Sequence, residues 1–492
     1  MTARTLPLVP ATLLFALALG ACGGGNPMPT VSLDREQLMD PETCKTCHPD
    51  AYRQWSGSMH AYASEDPVFR AMNQRAQRES GNTLGDFCVK CHAPMAVAQG
   101  LPTDGSNLDM LPQPMKGVTC YFCHAAESVD GSHNNPLKLA ADDSLFGPFD
   151  DAASGTPHKA IYARQLDSAT LDSTAMCGSC HDIQNLLGAH VERTYQEWQG
   201  TRFSITPDGQ GCASSGCHMA TSDGPASTIS SKMRRLHAHD FPAVDLAVTP
   251  FPEADSQRAQ AQALLDGVLQ STLCFNQAFN RMELTLENIT AGHGWPSGAT
   301  PDRRAWVELT AYSGESVIYS SGTADAFPLE DSSDPDLWLM RDCLFDAGGA
   351  EKKMFWEASS ITESNVPGSV IQDLMKPESF NKSHPRKMYP LPGPPKTPDR
   401  VTVRIHLQAI GDDVLDDLVM TGDLDPAIRA QIARYELGHA AAVDWTPAGA
   451  ETVVDPVNNV PLLCVIPFMY RGANVADAVS NAKCVPPAPP PP

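Results

Sequence analysis

A chain of 492 residues has room for two or three domains. Its formal charge of −23 excludes a nucleic-acid surface, which needs a positive footprint, and leaves basic partners or plain solubility. Fifteen cysteines are too many for an ordinary cytosolic enzyme and call for a chemical reason.

The first element in chain order is a leader. Arg4 precedes the apolar run LPLVPATLLFALAL, and the small residues Gly20 and Ala21 precede Cys22, which is the pattern of a secretory signal over residues 1–21. Leu19-Gly20-Ala21-Cys22 also resembles a bacterial lipobox, and that resemblance implies lipidation of Cys22; the alternative is an ordinary signal with a chance cysteine. Residues 22–40 follow as a flexible tether. No later apolar run has the length of a membrane span. The mature chain is therefore expected outside the cytoplasm, periplasmic or at the cell surface, held by lipid to a membrane, with the outer membrane favoured.

Residues 41–240 carry a repeated signature. CKTCH (44–48), CVKCH (88–92), CYFCH (120–124) and CGSCH (177–181) share the form C-x-x-C-H, the attachment motif of c-type haem. Two thiols must reach the two vinyl groups on one porphyrin edge while the adjacent histidine turns under the ring to bind iron. Two intervening residues give the one tight turn that does this. Zinc knuckles do not lock a histidine to each second cysteine. A fifth stretch, GCASSGCHMA (211–220), keeps the terminal Cys-His but has four small residues between Cys212 and Cys217. Glycine and serine let the longer loop bulge, so a fifth haem is expected there, with a Cys212–Cys217 disulfide as the alternative. The attachment cysteines are thus Cys44, Cys47, Cys88, Cys91, Cys120, Cys123, Cys177, Cys180, Cys212 and Cys217, and the proximal ligands His48, His92, His124, His181 and His218. Five haems in 200 residues must themselves form the core, packed closely enough to exchange electrons.

Ten histidines remain for the far sides of the irons. His60 in QWSGSMHAYA, His133 in GSHNNPL, His158 in SGTPHKAIYA, His239 in RRLHAHDFPAVD and His293 in AGHGWPSG are the preferred distal ligands. His239 is preferred over its neighbour His237, and His190 stands in reserve. His384, His406 and His439 read as structural or surface residues.

CKTCHPDAYRQWSGSMHAYA, MKGVTCYFCH, AMCGSCHDI and RTYQEWQGTRF followed by a CHMA site resemble the multihaem cytochromes related to hydroxylamine oxidoreductase and the tetrahaem cytochrome c of ammonia oxidisers. AGHGWPSGATPDRRAWVEL looks like a β-rich region appended to some bacterial members. The resemblance implies mostly bis-histidine haems in parallel and perpendicular stacked pairs, and electron transfer.

Beyond residue 240 the pattern changes. Residues 241–273 read as a connecting helix, with Leu264, Leu265, Val268 and Leu269 at helical spacing. RMELTLENI, RAWVELTAYS, ESVIYSSG and RVTVRIHLQAI alternate as half-buried strands. They predict an antiparallel β-sandwich-like domain over 274–470, with 326–398 as a long surface excursion, a short helix at 425–437 and a Pro-rich tail over 471–492. Cys274, Cys343, Cys464 and Cys484 are left for two disulfides with three possible connectivities.

The expected fold class is α+β: a haem-packed, helical and loop-rich N-terminal domain, then the β-sandwich. The expected function is electron transfer between respiratory redox proteins through five haem c groups, with the membrane reached through the lipid anchor and no nucleic-acid partner. The alternative is an oxidoreductase acting on a small nitrogen or sulfur compound at a haem with an open site; no catalytic residue is assigned.

Overall fold

The computed structural model describes residues 32–101, 104–151, 157–205, 209–323, 329, 333–371, 380–381, 384–394, 396–455, 458–465 and 475–488. The leader, Cys22 and most of the tether lie outside these residues. The tether as expected runs too far. Asp34 and Gln37 form a capping box on the helix Arg35–Met39, Asp40 caps the helix Pro41–Lys45, and Leu38 is buried.

The N-terminal region is built from short helices and loops. Asp66 caps its longest helix, Pro67–Glu79, with Pro67 in the first turn. Val68, Phe69 and Ala71 of that helix are buried. Phe69 packs with Leu38, Val89, Met95, Tyr121 and Phe122 in a small apolar cluster. Gly117, in the MKGVTC stretch, has φ +62°. A Cβ there would stand 2.5 Å from the carbonyl oxygens of both His60 and Ala61, so only glycine lets these segments close up. The Val118 N–H then donates to the His60 carbonyl at 2.8 Å.

The helix Ala254–Asp266 leads into the β region, and the first strand begins at Leu269 rather than after residue 273. Leu269, assigned by spacing to the helix, is buried instead with Leu273 in a sheet that excludes both from solvent altogether. Two six-stranded sheets face one another. One runs in the order Glu451–Val454, Pro461–Val465, Leu269–Asn276, Arg281–Asn288, His384–Pro390, Val475–Asp477, the last pair being parallel. The other runs Ser316–Ser321, Arg304–Ser313, Arg400–Gln408, Arg434–Glu436, with Trp338–Met340 and Val443–Trp445 paired at its sides. Met282, Leu284, Val307, Leu309, Val403 and Ile405 meet between the sheets. The chain therefore has the helices and sheets of an α+β fold.

Three local expectations differ from the structure. The interval 326–398 is not only a surface excursion: Trp338–Met340 and Cys343–Phe345 are fully buried strands, too short between their polar flanks to show a period. Residues 425–437 form a 3-10 turn, Pro426–Gln431, and then the strand Arg434–Glu436, because Tyr435 and Leu437 are needed in the sandwich core. The Pro-rich tail starts later than residue 471. Val475–Asp477 is a strand, the Asn481 amide donates to the Arg341 carbonyl at 2.8 Å, and Cys484 is bonded to Cys343. The other disulfide, Cys274–Cys464, joins adjacent strands.

Candidate haem-binding core

All ten attachment cysteines and their five histidines line one cavity of about 2000 Å³ in the N-terminal region. Ordinary ligand sites occupy about 300–1,000 Å³, so this space exceeds a single small-molecule site.

Each motif is one turn of helix. The His48 N–H donates to the Cys44 carbonyl at 2.8 Å, His92 to Cys88 at 3.2 Å and His181 to Cys177 at 3.1 Å, while Cys120–His124 is helical throughout. The long motif closes the same way: Ser214 turns back on Gly211, Cys217 on Ser214, and the His218 N–H donates to the Cys212 carbonyl at 3.1 Å. The two extra residues loop out, and the histidine keeps its place relative to the first cysteine. Cys212 and Cys217 are free thiols, as are the other eight. The spacer of CGSCH has its own constraint, since a Cβ on Gly178 would run into the ring of Tyr195.

The imidazoles are oriented by what their Nδ1 atoms meet. Those of His48, His92, His124 and His218 face the backbone carbonyls of Ala226 (2.7 Å), Ala63 (3.0 Å), Phe146 (2.8 Å) and Pro242 (2.8 Å). A carbonyl only accepts, so each Nδ1 holds the proton and Nε2 is left with its lone pair toward the cavity, the form that binds a metal. His181 is the exception: its Nδ1 faces the Glu192 carboxylate at 3.2 Å. Burial first, opposed by those carbonyls, lowers the pKa of His48, His92 and His124, and lowers His218 to about 4 with help from the charge of His293. At His181 burial pulls the same way, but Glu192 and the neighbouring thiols outweigh it and push the value up to about 9. The His181 side chain is 54% open, and that opening is onto the cavity.

Metal–nitrogen bonds of about 2.0–2.1 Å and about 1.1 Å from nitrogen to ring centre put two imidazoles sharing one metal about 6.3 Å apart. His48 and His158 stand 6.4 Å apart, His124 and His239 6.3 Å, and His60 and His181 6.3 Å. His293 and His218 both line the cavity and act on one another electrostatically. These residues fit a set of haems bound between histidine pairs. His237 is occupied elsewhere, with the Ser168 hydroxyl at 2.6 Å from its Nε2. His133 does not line the cavity. The backbone N–H groups of Asn134 and Asn135 bind the carbonyls of Asp182 and Ser179, and that loop turns His133 edge-on to His190 at 5.6 Å. Among the described residues no histidine ring faces His92, whose ring is stacked on Phe69 at 3.8 Å.

The motifs also touch each other. The Cys44 thiol meets Cys120, Cys91 meets Cys180 and Cys177 meets Cys212, while Cys123 lies within the field of Cys177 and Cys180. The first site thus adjoins the third, the third the fourth, and the fourth both the second and the fifth. Sequence spacing held no sign of this order, nor of the contacts that Glu192 and Phe69 make with the attachment histidines, because neither residue belongs to a motif.

Residues 43–125 match the family model "Cytochrome c554 and c-prime". A penta-haem cytochrome c552 from Thermochromatium tepidum has a similar fold, with a TM-score of 0.57 and 19% identity over 83% of this chain and 99% of that one. No curated protein matches. Among the described residues no helix is long and apolar enough to cross a membrane. The matched motifs and the shared fold support a multihaem cytochrome c with covalently bound haem.

Proposed function

We propose that the chain is an extracytoplasmic pentahaem c-type cytochrome that passes electrons between redox partner proteins. The observation that carries this reading is the row of histidine pairs spaced for a shared metal, His48–His158, His124–His239 and His60–His181, inside a cavity that ten free cysteines line. The haems supply one-electron chemistry; the chain supplies covalent attachment, axial nitrogen and contact between neighbouring sites. His218 and His293 complete a further pair, and through it the β-sandwich closes one side of the haem domain. Mass spectrometry of the mature protein tests the count: five haem additions are expected, and four with Cys212 joined to Cys217 overturn the fifth site. Cys22 carries the lipid anchor in this reading, and Cys22→Ser releases the protein from membranes; retention after a salt wash overturns that part.

A second reading has one observation of its own. Among the described residues His92 lacks a facing histidine, so its haem has a position open to a small ligand, as reduction or oxidation of a small nitrogen or sulfur compound requires. A high-spin ferric EPR signal that disappears on adding nitric oxide supports it, and a spectrum wholly low-spin overturns it.

A further inference from the structure

Four of the five attachment histidines are held by peptide carbonyls, which carry only partial charge, and one is held by a full carboxylate. The difference is built into the backbone. The hairpin of Ile183–Gln184 and His190–Glu192 pairs Ile183 with Glu192, two residues from the end of the CGSCH motif, and so returns the Glu192 side chain onto His181. That side chain is 19% exposed, and its Oε1 stands 3.2 Å from Nδ1 of His181. Arg303 feels its charge without pairing with it. An anion hydrogen-bonded to a ligand imidazole makes the ligand more basic and favours the oxidised metal.

The site so marked is the junction of the cluster. Its Cys180 meets Cys91 of the second site, its Cys177 meets Cys212 of the fifth, and both lie in the field of Cys123 of the third. Resting on the haem-bearing reading above, we propose that Glu192 is a positioning residue that makes the haem of His181 the lowest-potential centre of the five. Electrons then rest on the first and third sites, or on the second, or on the fifth, and occupy the junction between them only in passage. The carboxylate acts as an energy step at the one place where the paths meet.

The test is a mediated redox titration of the holoprotein with dithionite, followed by EPR. His60→Ala identifies the signal, because His60 faces His181 and its loss turns that haem alone high-spin. In the wild type the marked low-spin signal is expected to persist to the lowest potential. In Glu192→Gln it titrates with the others, its oxidised-to-reduced ratio at a given potential falling about tenfold, or about 59 mV for one electron. Glu192→Asp recovers part of the shift. A wild type in which another signal is the last to disappear overturns the proposal without any variant, and so does an unchanged midpoint in Glu192→Gln. Haem counting on each sample keeps the two readings apart: a wrong count sinks the pentahaem assignment, whereas a correct count with no shift sinks the role of Glu192.

Discussion

The Glu197 carboxylate holds the loop that carries His293. Its Oε2 accepts from the Gly294 N–H at 3.1 Å and from the Ser297 hydroxyl at 2.6 Å, and its Oε1 accepts from the Asn365 amide at 2.9 Å. Glu197 lies on the helix Thr194–Gln199, between the fourth and fifth attachment motifs, and all three donors come from the β region. One half-buried side chain therefore fixes where the β region presents an imidazole to the cavity that the attachment cysteines line. Charge-assisted bonds of this kind contribute about 1.5–3 kcal/mol each when intact. Glu197→Ala is expected to leave every haem attached but to bring a partial high-spin signal from the His218 haem. An EPR spectrum identical to wild type shows that the loop holds its place without Glu197.

His293→Ala removes the ligand and not its support. Full conversion of one haem to high-spin is expected, with all attached haems retained, because attachment depends on Cys212, Cys217 and His218 alone. The converted fraction exceeds that in Glu197→Ala. An unchanged visible and EPR spectrum makes the Gly292-His293-Gly294 loop purely structural.

The local turn of each motif was legible because its spacing is local: two cysteines and a histidine within one turn are the same wherever the chain goes next. The turn at the long spacer was legible for the same reason, since small residues between Cys212 and Cys217 let the loop bulge while the His218 N–H still reaches the Cys212 carbonyl. Distal pairing was not legible. His60 precedes the ring it faces, His181, by more than a hundred residues, and His133 has the same local credentials as His158 although its loop sets it against His190. In the β region, long alternating strands such as Arg304–Ser313 showed their period, but Trp338–Met340 has three residues, too few for alternation to be distinguished from chance. Strand Arg281–Asn288 is buried on both faces, and Glu283 is tolerated inside because Arg281 and Arg386 pair with it at 2.8 and 3.2 Å.

Cys343–Cys484 fastens the last described strand and its following turn to the sandwich. Its cysteines are 141 residues apart, so the link removes much freedom from the unfolded chain. Cys484→Ser is expected to lower stability by about 2–5 kcal/mol. The haem bands stay unaffected at low temperature, since no attachment residue is touched. Calorimetry with the visible spectrum recorded alongside checks both halves, and an unchanged melting temperature shows that the Asn481 bonds to Arg341 and Thr362 hold the segment alone.

Stability should also depend on pH through one buried acid. Asp302 is 5% exposed, its Oδ1 has no hydrogen-bond partner among the described residues, and it lines the large cavity beside Arg303. Burial raises its pKa to about 7, although Arg303 and Arg304 pull it down and Asp245 and Asp413 add to the rise. An unfolded chain releases the same proton near pH 3.9. Between these values the folded chain binds a proton that the unfolded chain has lost, so this group's contribution is complete below about pH 4 and is lost as pH rises through 7. A tenfold change in proton affinity corresponds to about 1.4 kcal/mol, which makes the full swing a few kcal/mol in order of magnitude. Asp66 and Asp342, both raised to about 6 by burial, act in the same direction and contribute to the wild-type slope. The difference between wild type and Asp302→Asn isolates the one group. The variant is expected to melt higher than wild type at pH 8 and to lose that advantage at pH 4. Melting curves that stay parallel across the range show that Asp302 is ionised in the folded protein after all.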